Sequence, residues 1–179
     1  IFVEQNLRFA DELKALRGEF PNKSESVRVV KDDANRFLQD WCSQVDWRIH
    51  RSVVFLDPYG MGVEWATIEA IARTKAIDLW LLFPLGVAVN RLLTRDHPPR
   101  DTWTDALTRI FGTDEWVKAF YSSQQELTLF GPENVTRKDA DFDRIGAFFV
   151  ERLKGVFAGV AGNPLPLRNS TNVPIYLLC

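Results

Sequence analysis

The chain has 179 residues, with 22 basic and 24 acidic side chains and a formal net charge of −2. Apolar residues make up 46% of it, enough for a globular core without disulfide or metal staples. The charge balance argues against a protein that grips nucleic acid through a general excess of Lys and Arg, although a local basic groove stays open. Cys42 and Cys179 are the only cysteines and stand far apart, so no zinc or iron–sulfur ligand set is expected, and a reduced, cytoplasmic location is. His50 beside Arg51, and His97 in an Asp-His-Pro-Pro turn, lack the neighbouring acid and nucleophile that His-based catalysis needs.

In chain order, Phe2-Val3 is a short apolar strand ending at Glu4. Phe9, Leu13, Leu16 and Phe20 then recur at helical spacing until Gly18 and Pro21 stop the helix. Val27, Val29 and Val30 read as a strand closing on Lys31-Asp32-Asp33, and Phe37, Leu38, Trp41 and Val45 as one face of a second helix. Ser52-Val53-Val54-Phe55-Leu56 is a continuous apolar run, the habit of strands buried on both faces in parallel sheets. Trp65, Ile68 and Ile71 mark a third helix, and Ile77 to Phe83 another buried strand, ending at Pro84. The stretch from Leu79 to Val89 is about half of the roughly 20 residues a membrane helix needs, so no span is expected.

Repeated strand–helix units predict an α/β fold, Rossmann-like, with a mostly parallel sheet and helices on both faces. From Val87 the pattern turns helical, with stripes at Trp103, Leu107, Ile110 and Phe111 and again at Trp116, Val117 and Phe120. Ser122–Gln125 and Gly131-Pro132 read as loop, Phe142 to Val156 as a long helix, and Val173 to Leu178 as a last strand. The expected organisation is an α/β domain over 1–93 and 138–179, carrying a helical insertion over 94–137.

In open parallel sheets, ligands bind beyond the carboxyl ends of the strands. Those positions carry Glu4, then Asp32-Asp33-Ala34, Asp57-Pro58-Tyr59-Gly60 and Pro84-Leu85-Gly86. Glu4 and Asp33 have the placement that binds a nucleoside, the first carboxylate accepting ribose hydroxyls and the second the amino group of adenine. An Asp that ends a buried strand, with Pro fixing the next φ, projects a carboxylate and an ordered carbonyl into the crevice. Those acceptors suit a substrate amine, and Tyr59 supplies a stacking face. The plainer alternative is that Asp57 caps the next helix and Tyr59 fills core.

The segments Phe2-Val3-Glu4, Lys31-Asp32-Asp33-Ala34, Val53 to Gly60 and Ile77 to Gly86 resemble the three-Cys-motif partner proteins, bacterial proteins with a fold like class I S-adenosylmethionine-dependent methyltransferases. The resemblance covers nearly the whole chain. It implies a Cys-motif protein as partner and S-adenosylmethionine as cofactor, with Glu4, Asp32, Asp33 and Ala34 on the cofactor side. It sets Asp57, Pro58 and Tyr59 where amino-methyltransferases carry Asp-Pro-Pro-Tyr, so Tyr59 replaces the second Pro and Gly60 stands in place of the aromatic residue. The Gly-rich loop of that fold is missing, since no glycine precedes Gly18. The expectation is therefore that the first strand and its loop are missing and that these residues bind the cofactor poorly.

Two further readings compete with amino-group methylation, possible on a nucleobase. One is an interaction module with little or no catalysis, presenting Trp103, Phe111, Trp116, Phe120 and Tyr121 to its partner. The other is nucleic-acid binding through Arg91, Arg95, Arg100 and Arg109 near Trp103.

Overall fold

The computed structural model describes residues 1–128 and 131–179. It is a mixed α/β structure whose contacts divide it into two compact units, Ile1–Asp46 and Trp47–Cys179. The boundary thus falls inside the stretch expected to be one α/β domain. Among the described residues, no helix is long and apolar enough to cross a membrane.

In the first unit, β1 (Phe2–Val3) pairs in parallel with β2 (Val29–Val30), and α1 (Leu7–Glu19) connects them. Asn6 opens α1 by accepting from Arg8 N, and Pro21 starts a 3-10 turn after it. The helix α2 (Ala34–Gln44) follows β2, with Leu38 buried and Phe37 stacked on Trp41. Parallel pairing joined through a helix is what the strand–helix–strand pattern predicts.

The second unit is built on a four-stranded sheet in the order β3-β4-β8-β7, made by β3 (Ser52–Leu56), β4 (Ile77–Phe83), β7 (Leu165–Arg168) and β8 (Pro174–Leu178). β3 and β4 run parallel, joined by α3 (Trp65–Thr74), but β4–β8 and β7–β8 are antiparallel. The sheet is therefore mixed rather than mostly parallel. Antiparallel strands at one side of an α/β sheet are a common variation, and β7 escapes a sequence reading because Pro166 interrupts it.

β3 and β4 also differ from expectation in burial. Val53 and Phe55 are 64% and 59% exposed, and Trp80 is 52% exposed. The parallel register sets Phe55 beside Trp80 and Val53 beside Asp78, so one face of this pair is open while Ile77, Leu81 and Phe83 fill the other. An unbroken apolar run marks a strand but does not report how many of its faces are covered.

After Pro84 the chain makes a π-helical turn over Leu85–Val89 and continues into α4 (Asn90–Leu92). Helices α5 (Thr102–Phe111) and α6 (Trp116–Phe120) come next, as their stripes predict. Among the described residues, the rest of the expected helical insertion is not helical. β5 (Tyr121–Thr128) and β6 (Gly131–Lys138) form an antiparallel ribbon, and the positions read as loop belong to it. Polar strands of a two-stranded ribbon have no buried face to alternate toward, so period-2 hydrophobicity cannot announce them.

The core of this unit is aromatic. Phe83 stacks on Phe149 of α7 (Phe142–Lys154) with centroids 3.9 Å apart. Phe111 meets Phe83, Phe120 and Phe148 at 5.9, 5.6 and 5.3 Å. Phe111, Trp116 and Phe120 are fully buried and Tyr121 nearly so; of the five aromatics proposed as a partner surface only Trp103 is exposed. Arg152 lies over the Trp65 ring at 4.7 Å and donates through Nε to the Phe111 carbonyl at 3.0 Å. That guanidinium meets the negative end of α5 and locks it to α7.

Ile77, Leu79, Leu81, Leu153, Phe157 and Cys179 line a cavity of about 260 Å³ along the first five residues of β4. Cys179 pairs with Leu81 through both backbone bonds, and burial pushes its thiol up to about 12. An unfolded thiol ionises near about pH 8.5, so the folded state holds the proton more tightly and stability falls as pH rises above that value. At pH about 9 the native Cys179 is expected to react with iodoacetamide at least about tenfold more slowly than in urea, read by mass spectrometry of the C-terminal peptide. Equal rates in the two states would contradict the burial.

Candidate amine-binding site

The parallel register pairs Leu56 with Leu81, and β4 then runs two residues further, to Phe83. Asp57-Pro58-Tyr59-Gly60 and Pro84-Leu85-Gly86 therefore leave the same carboxyl edge of this strand pair, the edge where α/β sheets bind ligands. Asp57 is exposed and makes no hydrogen bond or ion pair among the described residues. Pro58 is half-buried, and Tyr59 is 101% exposed. Gly60 takes φ +60, which lets the loop turn without a Cβ in the left-handed region.

The capping alternative for Asp57 is not what the chain does. α3 begins only at Trp65, with Glu64 at its N-cap position, and Tyr59 fills no core. The result is a free carboxylate on a strand end, with an aromatic ring two residues on. A carboxylate in that position accepts N–H from an amine, and the ring offers a face for a planar group.

The carboxylates assigned to the cofactor are engaged locally in the first unit. Glu4 Oε1 accepts from Asn6 N at 2.6 Å. Asp32 Oδ1 accepts from Asp33 N at 2.7 Å and from Arg36 Nε at 2.9 Å, and the Arg36 guanidinium holds the Asp32 carboxyl below its ordinary range. Asp33 is the N-cap of α2, its Oδ1 accepting from Arg36 N at 3.0 Å, and Ala34 is the first residue of that helix. These bonds use one oxygen each of Glu4 and Asp33; a carboxylate has two oxygens and about four lone-pair sites, so both could still accept from ribose or adenine.

Among the described residues, no group of three or more His, Cys, Asp or Glu side chains could hold a metal ion. Arg91, Arg95, Arg100 and Arg109 are all exposed and take part in no ion pair among the described residues. The sequence pointed to these arginines but missed the ribbon beside them. The signal for it is the pair of polar eight-residue segments, the second opening on Gly131 with φ +114.

Comparison with protein-family models, with curated proteins and with solved structures finds no match for this chain.

Proposed function

We propose that the chain is a three-Cys-motif partner protein with a class I methyltransferase-like, Rossmann-type scaffold, and that Asp57-Pro58-Tyr59 binds the amino group of its substrate. The observation that carries this reading is the Asp57 carboxylate, exposed and unpartnered at the carboxyl end of β3 beside β4. Asp57 accepts one N–H of the amine, and the adjoining main-chain carbonyl accepts the other. Both acceptors lie on one side of the nitrogen, so its lone pair is turned away from them, toward an incoming electrophile. Orientation of that kind is a large part of what an enzyme contributes to group transfer. Tyr59 stacks on the ring of a nucleobase if the amine is exocyclic.

S-adenosylmethionine-dependent methylation is the activity the resemblance implies for this site, in a bacterial, cytoplasmic protein. The test is transfer of radiolabelled methyl from S-adenosylmethionine to adenine and cytosine amino groups by the intact protein. Asp57→Ala is expected to lower incorporation by about 100-fold or more while cofactor affinity, read by calorimetry, changes little. Unchanged incorporation in the variant would sink the assignment.

A second reading is favoured by the local bonds of Glu4, Asp32 and Asp33. In this reading those carboxylates serve the starts of α1 and α2 rather than a cofactor, and the chain is an interaction module that binds a Cys-motif partner without catalysis. Absence of heat on titrating S-adenosylmethionine, together with capture of that partner, selects this reading.

A further inference from the structure

Beyond Tyr121, which is buried at its base, the β5–β6 ribbon has no assigned role in the amine site or the aromatic core. Its register sets Ser123 opposite Thr136 and Gln125 opposite Asn134. Directly opposed residues of an antiparallel pair share a face, as do residues two apart along a strand. Ser123, Gln125, Asn134 and Thr136 therefore form one row, and the Ser123 and Thr136 hydroxyls meet at 3.0 Å. Ser123, Gln125 and Asn134 are exposed. By the same register Tyr121 and Lys138 continue this row at the base and positions 127 and 132 at the other end, with hydroxyls and carboxamides between them. The alternate row carries Ser122, Gln124, Val135, Arg137 and the register positions of Glu126 and Glu133.

The base of the ribbon is fixed to the segment that bears two free arginines. Lys138 N donates to the Arg95 carbonyl at 2.8 Å, Tyr121 Oη to the Thr94 carbonyl at 2.8 Å, and Lys138 Nζ to Asn90 Oδ1. Arg91 and Arg95 are exposed and have no carboxylate partner among the described residues. Hydrogen-bonding amides along a two-stranded ribbon, with cations on the segment its base bonds to, match the division of labour in DNA recognition: phosphate contacts position, base-edge contacts specify.

We propose that the β5–β6 ribbon enters the major groove of double-stranded DNA, with Ser123, Gln125, Asn134 and Thr136 toward the base edges and Arg91 and Arg95 on flanking phosphates. The dimensions agree. Two strands about 4.8 Å apart fit a groove about 12 Å wide, and Gln and Asn carboxamides pair bidentately with adenine there. The major groove of A-form RNA is too narrow for such a ribbon. The inference goes beyond the amine-binding reading, and its test uses no methyl donor, so either can fail alone.

The experiment is fluorescence anisotropy of the full chain with labelled random-sequence duplex DNA of about 20 base pairs, between roughly 50 and 200 mM salt. Binding is expected at low salt and weakens as salt rises. Arg91→Gln with Arg95→Gln lowers affinity by about tenfold and reduces the log–log salt slope by about 2, whereas Gln125→Ala with Asn134→Ala leaves the slope unchanged. In selection from a random duplex pool, the amide double variant is expected to lose about tenfold or more of the preference the unaltered chain shows. Circular dichroism checks that both variants fold. Absence of binding at low salt overturns the proposal, as does an unchanged slope in the arginine variant. Equal or tighter binding to double-stranded RNA or to single strands also overturns it, because it removes the major groove from the account.

Discussion

Replacing Phe149 by alanine is expected to destabilise the second unit by about 3–5 kcal/mol, measured as a lowered denaturant midpoint with an unchanged slope. Phe149 is fully buried on α7 and stacks on Phe83 at the carboxyl end of β4. It also meets Trp65 edge-on at 6.3 Å and Phe111 at 6.3 Å. One ring thus touches the sheet, α3 and α5. The surrounding rings are held from several sides and cannot collapse into the space it leaves, so the lost transfer energy and the cavity add. Phe149→Leu keeps most of the volume and is expected to cost less than half as much. A loss below about 1 kcal/mol for the alanine variant would contradict this packing.

Gly86→Ala is the second large effect, expected at about 3 kcal/mol or more by the same measurement. A Cβ built on Gly86 would lie 2.0 Å from the Pro174 carbonyl oxygen and 3.2 Å from Ile175 Cα. These are backbone atoms of β8, which no rotamer change can move aside. The turn that carries Gly86 is equally fixed, with Leu85 and Val89 buried and the amides of Ala88 and Val89 both donating to the Pro84 carbonyl. The methyl group must therefore push β8 away from β4, at the register pairs Leu82–Leu178 and Phe83–Leu177. Because Pro84-Leu85-Gly86 lies on the same sheet edge as Asp57, the substitution is also expected to weaken binding at the proposed amine site. Gly159, with nothing within 4 Å, is the control and should tolerate alanine within about 0.5 kcal/mol. If Gly86→Ala matched that control, the close approach of the turn to β8 would be wrong.

The candidate site is partly legible in the sequence. Asp57 and Asp33 look alike in sequence, each an acidic residue after an apolar strand. Asp33 lies immediately before α2 and bonds Arg36 N, the ordinary behaviour of an N-cap. Asp57 is separated from α3 by a loop that turns at Gly60, so its carboxylate has no helix end to bond. The length of the connection decides the matter, and local residue chemistry does not report it. The partner-surface reading of the insertion failed for a related reason. Helical spacing shows that Phe111, Trp116 and Phe120 share a face with their neighbours, but not whether that face meets solvent or the core.

What the sequence by itself determined is the alternation of helices and strands through Phe83, the stripes of α5, α6 and α7, and the residues at the strand ends. These rest on local periodicity and on punctuation by Gly, Pro and Asp, which act within a few residues. The tertiary structure alone decided that β4–β8 and β7–β8 are antiparallel, that Val53, Phe55 and Trp80 stay exposed, and that 121–128 and 131–138 pair as a ribbon. Each of these depends on which distant segment pairs with a strand or covers a face. Hydrophobic patterning states that a residue is apolar; only the packed chain states what it is placed against.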